Sequence, residues 1–379
     1  MNFLSKINKN TNHLNDELID ILRLIRSENV GPRTFYELIK FFGDASNALK
    51  YVEEFSIKGG RSKPIKLYSE KEIELELKLH KKIGADFITY KDANYPKLLK
   101  FTGDAPPVIS YLGDSKTLSK TCVSIVGARN ASLNARSLCK KIANNLFDAG
   151  FTVVSGLARG IDTEAHLGSI SSTIAVIAGG IDHIYPVENT GLYNEIQKKG
   201  AIIAELPIGS SPLAQHFPQR NRIIAGMSRA TIVIEASLKS GSLITGRFAL
   251  EYNREVCSVP GFPLDYRSAG TNRLIKDGAF VVESIDGLVE HLLKLENTHN
   301  SLFDSSEEKY NVHYKFIPMD ITDCMRQRVL TLLSSTPISI DELFNESGLS
   351  FSAIYTIILE FELAGKVLKH PGNKISLNY

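Results

Sequence analysis

The feature that most restricts the fold lies between residues 123 and 259, where short apolar runs alternate with helical patterns. The segments 123–126, 152–154, 173–178, 201–204, 231–234 and 255–259 read as strands. The segments 132–149, 161–170, 190–199, 219–228 and 244–253 between them carry helical spacing. Runs this short, rich in β-branched residues and separated by helices, imply a parallel sheet covered on both faces. In such sheets ligands sit beyond the carboxyl ends of the strands. Three polar junctions fall at those ends: Ser155-Gly156-Leu157-Ala158-Arg159-Gly160-Ile161-Asp162, Phe217-Pro218-Gln219-Arg220-Asn221-Arg222, and Ser240-Gly241-Ser242-Leu243-Ile244-Thr245-Gly246. Backbone N–H groups and helix dipoles at such junctions attract anions.

No ordinary bond-making machinery accompanies them. The chain has no G-x-x-x-x-G-K-[ST] loop, no G-x-G-x-x-G after the 123–126 run and no G-x-S-x-G elbow. Its carboxylates do not cluster at the strand ends as a two-metal site requires. The pattern therefore predicts polyanion binding without catalytic residues, metal or cofactor. The formal net charge of the 379 residues is only +2, so a nucleic-acid site must be a local patch. Cys122, Cys139, Cys257 and Cys324 form no C-x-x-C pair, which argues for reduced thiols and a cytoplasmic location. The polar N-terminus lacks an apolar signal-peptide core, and no apolar run reaches the ~20 residues of a membrane helix.

Around this core the spacing predicts two smaller domains. Residues 1–66 read as a small helical, SAM-like or helix-hairpin-helix-like domain with its linker, loose up to about residue 15. Its helices meet at Val30-Gly31-Pro32. That turn is either a DNA-backbone hairpin or a packing hairpin. Residues 67–293 hold the core with its lead-in segment, including a helix near 69–83, and residues 294–319 read as a polar linker. Residues 320–379 show three helical segments and a two-stranded hairpin around Pro371-Gly372-Asn373, a winged-helix pattern with Ser339 as an N-cap. Its third helix carries Glu360 and Glu362, which leaves duplex reading and protein contact both open.

Several ordered motifs together resemble the DNA-processing protein A (DprA/Smf) family. They are Val126-Gly127-Ala128-Arg129, the Ser155–Asp162 block with Ala165-His166, Gly179-Gly180-Ile181-Asp182-His183-Ile184-Tyr185-Pro186, and Phe217-Pro218-Gln219-Arg220-Asn221-Arg222-Ile223-Ile224. Glu235-Ala236, Ser240–Thr245, Val259-Pro260-Gly261, Gly270-Thr271-Asn272, Leu274-Ile275 and Asp277-Gly278-Ala279 follow in order across roughly residues 95–283. Ala204 and Gly246 stand where Ser and Ala are common in the family. The resemblance implies a Rossmann-like core and a homodimer that binds single-stranded DNA. It also implies protection of incoming strands in natural transformation and loading of the RecA recombinase, with no catalysis.

Residue by residue, Arg129 can fork onto phosphate or stack on a base, and the resemblance puts a DNA-pocket arginine at this step. Ser155, Gly156 and Gly160 supply a tight turn with exposed N–H groups, or a plain strand-to-helix turn that needs Gly for φ > 0, and both can hold together; Asp162 is the expected helix N-cap in either case. Asp162 and His166, one turn apart, read as a local hydrogen bond rather than a catalytic dyad. Arg220, Asn221 and Arg222 open a helix, where cations oppose the macrodipole. One arginine is expected to face DNA and the other to pair with Glu205 or Glu235. Phe217 is either a stacking platform or a core aromatic. Lys239 is a phosphate candidate, and Ser240, Gly241 and Ser242 supply donors or caps at the next helix. The rival reading is an enzyme: nucleotide-cleaving phosphoribohydrolases also combine a Gly-Gly step with a Glu-Ala junction, and Glu235 would be the acid. A third is a transcription regulator reading duplex DNA through the winged helix.

Overall fold

A computed structural model describes residues 16–303, 321–370 and 372–378. The N-terminal stretch expected to be loose, residues 1–15, and residues 304–319 of the expected linker lie outside the described residues. The chain divides into two units, residues 76–309 and residues 1–75 together with 310–379.

The larger unit is built on one nine-stranded sheet. Its strands are β1 (Asp86–Thr89), β2 (Val108–Gly113), β3 (Cys122–Val126), β4 (Thr152–Ser155), β5 (Thr173–Ile177), β6 (Ala201–Ala204), β7 (Ala230–Val233), β8 (Glu255–Ser258) and β9 (Phe280–Val281). Their order is β1-β2-β6-β5-β4-β3-β7-β8-β9. From β6 to β9 every pairing is parallel. Strands β3 to β7 are buried at every residue, which is why they read as unbroken apolar runs rather than alternating ones. Val123, Ile125, Ile142, Leu146 and Ile232 form one core with the helix Leu133–Asp148, and Ala175, Ile177, Tyr193, Ile196 and Ile202 form another with the helix Thr190–Lys199.

All six strands expected from the sequence are present, with three more in this sheet. β1 and β2 extend it antiparallel from β6. β1 is partly exposed, so it lacks the continuous apolar run that marks its parallel neighbours. β9 is two residues long, too short to show a period.

Strand order reverses beside β3. The chain leaves β3 for β4 on one side, whereas β7 and β8 lie on the other. The space beyond the carboxyl ends of β3 and β7 is thus the topological switch point of the sheet, where neighbouring connections diverge and leave a crevice.

The smaller unit contains helices at residues 16–26, Pro32–Phe42 and Ala45–Lys58, and a three-helix winged fold (Asp323–Leu332, Ile340–Ser347, Phe351–Leu363). β10 (Ile338–Ser339), β11 (Val367–His370) and β12 (Lys374–Leu377) form its small sheet, in the order β10-β12-β11. Pro32 opens its helix after Gly31 at the N-cap, where a missing N–H is no loss. Ser339 caps the second winged helix in a full capping box with Glu342.

The third winged helix packs against the N-terminal helices. Asn29 Nδ2 donates to the Leu363 carbonyl at 3.0 Å, and the Thr34 hydroxyl donates to Glu362 at 2.8 Å. Lys369 pairs with both Glu362 and Glu37. Arg326 forks onto Glu360 at 2.7 and 2.9 Å. Asn29 and Thr34 flank the Gly-Pro turn, so residues on both sides of this turn pack against the third winged helix. The helix leaves only Phe351, Ser352 and Tyr355 exposed along its first two turns, and none of them is a cation. Among the described residues no helix is long and apolar enough to cross a membrane.

Candidate nucleic-acid interface

A cavity of about 300 Å³ lies at the switch point. The β3 loop contributes Val126, Gly127 and Arg129, and the β4 loop and helix contribute Ala158 and Asp162. Phe217, Pro218, Arg220 and Asn221 come from the helix His216–Met227, and Ser240, Gly241, Ser242 and Thr245 from the β7 junction. Most of the residues expected to form the site therefore do converge, but in two layers with different work.

The inner layer is closed upon itself. The Asp162 carboxylate accepts from the Gly156 N–H at 3.1 Å and the Ala158 N–H at 3.4 Å. The Arg220 guanidinium donates to the Gly156 carbonyl at 2.6 Å and to the Val176 carbonyl, and its Nε donates to Asn221 Oδ1 at 3.2 Å. The Ser155 hydroxyl donates to the Ile125 carbonyl at 2.6 Å. The turn expected to offer free N–H groups to a phosphate thus holds the chain's own carboxylate. Buried donors must be satisfied, and Asp162, one turn further along the chain, reaches back to satisfy them. Asp162 is accordingly not the N-cap. Gly160 is, with φ +77, and a Cβ there would lie 2.4 Å from the carbonyl oxygens of Ala128 and Arg129. Gly156 is equally constrained, because its Cβ would meet the Arg220 guanidinium at 2.6 Å.

Charge on this floor is tightly managed. Burial pushes the Asp162 carboxyl above its ordinary value, with Arg220 and the two N–H groups acting the other way. Burial pushes Arg220 down to about 10, opposed by Asp162, so it stays a cation at neutral pH. Arg220 is thus an internal brace between the ends of β4 and β5, and it meets the cavity only as part of its floor. Arg222 points elsewhere: it donates to the Asp104 carbonyl and to Glu205, outside the cavity lining. Burial works against its charge, but Glu205 and Asp104 outweigh that and hold the guanidinium above its ordinary value. The expected division into one DNA-facing and one structural arginine becomes a floor brace and a structural ion pair, neither carrying a free guanidinium. The reason lies in where the helix starts. It begins at His216 rather than 219, because Pro218 fits the first turn, so both arginines stand beyond that turn.

The outer layer is open. Arg129 is exposed, and its guanidinium lies 5.1 Å from the Phe217 ring centroid. Tyr185 meets the same ring edge-on at 5.6 Å and is itself 47% exposed. Among the described residues neither Arg129 nor Lys239 has an ion-pair partner. Lys239 is exposed beside the cavity on the loop that leads into Ser240, and does not line the cavity itself. The hydroxyls of Ser240 and Ser242 bond to each other at 2.6 Å. The helices His216–Met227 and Ser242–Glu251 both begin here without a side-chain cap. The Ser242 N–H donates to the Ser240 hydroxyl at 3.4 Å, and the Leu243 and Ile244 N–H groups donate to the Ser240 and Gly241 carbonyls, so these helix ends give the crevice the positive end of their dipoles rather than free donors. In the sequence Tyr185 stands only within the Gly179–Pro186 motif and carries no site assignment; its signal is an aromatic beside Pro186 at a strand-end junction.

The candidate catalytic groups are occupied otherwise. Glu235 accepts from the Ser132 N–H at 3.1 Å and the Ser132 hydroxyl at 2.7 Å, at the start of the helix Leu133–Asp148, and does not line the cavity. His166 Nδ1 donates to the Thr173 hydroxyl at 2.7 Å, because that hydroxyl already donates to the Val153 carbonyl. Burial, aided by Arg220, pushes the ring down to about 3, so it is neutral. The expected local hydrogen bond between Asp162 and His166 is replaced by these two separate anchors.

Sequence comparison agrees with this architecture. The model of the DNA recombination-mediator protein A family matches residues 86–293, that of the DprA-like N-terminal HHH domain residues 15–78, and that of the DprA winged helix domain residues 319–373. The chain belongs to the DprA/Smf family. Protein Smf of Synechocystis is 34% identical over 332 residues, covering 78% of this chain and 81% of that protein. The X-ray structure of DprA from Streptococcus pneumoniae superposes with a TM-score of 0.60 at 30% identity, over 72% of this chain and 96% of that one. DprA of Helicobacter pylori, whose structural study concerns its single-stranded DNA binding mode, superposes with a TM-score of 0.52 at 30% identity, over 55% of this chain and 96% of that one. Membership in DprA/Smf makes this a protein of DNA processing built on a Rossmann-like core, an N-terminal helical domain and a winged helix.

Proposed function

We propose that this chain binds single-stranded DNA at the β3–β7 crevice and leaves its covalent bonds intact. The observation that carries the reading is the outer layer: an exposed Arg129 over the Phe217 ring, between two uncapped helix N-termini, above a floor whose acid and base groups are already engaged. The guanidinium and the helix ends suit phosphates, and the rings suit bases of any identity. Arg129, Phe217, Asn221, Lys239, Ser240, Gly241 and Ser242 are the contacting residues in this reading. Ser155, Gly156, Gly160, Arg220 and Arg222 hold them in place. The helix Ser242–Glu251 supplies its end, and Lys239 the neighbouring charge.

The recombination-mediator family supports a finer reading. The bound strand is protected and handed by a homodimer to a RecA-type recombinase during natural transformation or recombination, which implies a cytoplasmic site of action. The phosphoribohydrolase reading has no observation in its favour, since Glu235 is turned to Ser132 and away from the crevice.

A salt titration with oligothymidylate tests the proposal. The logarithm of the binding constant falls with the logarithm of salt concentration by about 0.7 per phosphate neutralised. Arg129→Ala weakens binding and flattens that slope. A variant with unchanged affinity and slope refutes the site.

A further inference from the structure

The loop that follows β8, residues 259–268, bears three large apolar side chains turned to solvent. Phe262 is 69%, Leu264 87% and Tyr266 72% exposed. The loop is braced rather than slack. The Asp265 N–H donates to the Phe262 carbonyl, and the Arg267 N–H to the Asp265 carboxylate, both at 3.0 Å. Gly261 and Asn272 exchange two hydrogen bonds of 3.0 and 3.1 Å. Next to the loop, the Gly270 N–H donates to the Ala236 carbonyl at 2.8 Å, which ties this region to the β7 junction. A braced loop that holds rings in water gains nothing from burying them in its own fold, and such exposed apolar surface marks a binding face.

Two further facts identify what it faces. The Arg267 guanidinium lies 5.7 Å from the Tyr266 ring centroid, repeating the cation-and-ring pair that Arg129 makes with Phe217 at 5.1 Å. The sheet order is β3-β7-β8, all parallel, so the loops beyond these strands leave the same edge of the sheet. With neighbouring strands about 4.8 Å apart, the β8 loop leaves the sheet roughly 10 Å along the rim from the β3 loop. Lys239 stands between them on the β7 junction. The only acid on the loop, Asp265, is engaged by the Arg267 N–H and faces its guanidinium at 3.9 Å. Two rings backed by guanidinium groups, Phe217 and Tyr266, with an unpaired lysine between them, complement a chain of bases joined by phosphates.

We infer that the Phe262–Arg267 loop is a second stacking station for single-stranded DNA, on which a strand leaving the Arg129–Phe217 pocket lays its next bases. The inference rests on the pocket reading above and extends it along the rim in the direction β3 to β8. Tyr266 and Phe262 stack on bases, and Arg267 contacts the phosphate between stations.

The test uses the full chain and fluorescence anisotropy with oligothymidylates of about 4 and about 16 nucleotides, the span of site sizes for stacking grooves. The double variant Phe262→Ser/Tyr266→Ser is expected to bind the short strand within about twofold of wild type and the long strand roughly 10- to 100-fold more weakly. Tyr266→Phe keeps the ring and is expected to retain wild-type binding at both lengths. Unchanged affinity for the long strand overturns the inference, as does an equal loss at both lengths. If the double variant alters the sedimentation coefficient of the free protein while long-strand affinity stays the same, the loop is a contact between copies of this chain and the inference falls. A wild-type protein that binds neither length overturns the pocket reading together with this one, whereas loss confined to Arg129→Ala with no length dependence sinks the second station alone.

Discussion

Phe217→Ala separates a stacking platform from a core aromatic, two roles that the sequence leaves open for this residue. The ring is only half-buried and stands at the second position of its helix, and it is in neither the Ile125 cluster, the Ile177 cluster nor the Ala249 cluster. Its partners are the Arg129 guanidinium at 5.1 Å and the Tyr185 ring at 5.6 Å, both themselves exposed. The intramolecular loss is thus small: about 0.5–1 kcal/mol for an exposed cation–π contact, with a similar amount for the edge-on pair. The loss in binding is larger, about 1–3 kcal/mol for one base stack, or roughly 5- to 150-fold in Kd. No charge is removed, so the salt slope stays at its wild-type value. The assay is anisotropy with oligothymidylate at several salt concentrations, paired with urea unfolding of the same protein. Phe217→Trp keeps binding. The reasoning is refuted if Phe217→Ala loses more than about 3 kcal/mol of stability, as a core phenylalanine does, while affinity per folded molecule is unchanged.

Other consequences follow from the same geometry. Lys239→Ala is expected to weaken strands of all sequences alike and to reduce the salt slope by about 0.7, measured by the same titration. Glu235→Ala leaves the Ser132 N–H and hydroxyl without their acceptor and costs about 1–3 kcal/mol in denaturant unfolding, while neither it nor wild type releases free base from nucleoside monophosphates. Glu360 has a side chain 2% exposed and is forked by Arg326, which keeps Asp323 and the Ile321 carbonyl as partners, so Glu360→Ala costs about 1–3 kcal/mol and is read as an early unfolding transition of the smaller unit. His166 is neutral when folded, with its pKa pushed down to about 3 from 6.5. A histidine depressed in this way binds a proton first in the unfolded chain, so its contribution is intact above about pH 6.5 and is lost as pH falls from there toward 3. At pH 5 the loss is about 2 kcal/mol relative to pH 8. Asp162, with its carboxyl raised by burial, acts in the opposite sense as pH falls, so the His166 part is read as the difference between wild type and His166→Asn across that range.

The sheet was legible because parallel strands buried on both faces write themselves as short apolar runs, and the six that lie between residues 123 and 259 did so. The antiparallel edge was less so: β1 is half in water and shows neither a clean run nor a clean alternation. Within the site, exposed residues were easier to read than buried ones. Arg129 stands out in the sequence because the resemblance puts an arginine at this strand-end step, and the structure places it exposed over the Phe217 ring. The Ser155–Gly160 turn was misjudged for a physical reason. A sequence displays the donors of a turn but not whether an acid six residues from Gly156 folds back to fill them, and Asp162 does so. Arg220 and Arg222 were hard to divide because both lie beyond the first turn of a helix whose true start is hidden by Phe217-Pro218, a pair that reads as a breaker until the proline is seen in the first turn.

That inward-turned carboxylate bears on what the crevice selects. A small anion seeking the deepest point of the cavity meets Asp162, an acid that already has two N–H donors and the field of Arg220. The donors that remain free lie higher: the Arg129 guanidinium and Lys239. These are spread along the rim rather than focused on one point, so a lone phosphate engages only one of them at a time. A chain that carries phosphates at intervals engages both together, and each link raises the effective concentration of the next. An acid at the floor with cations at the rim therefore favours a strand lying across the crevice over a nucleotide seated within it. In the proposed binding mode the bases, not the phosphodiester bonds, lie nearest to the rings of Phe217 and Tyr185.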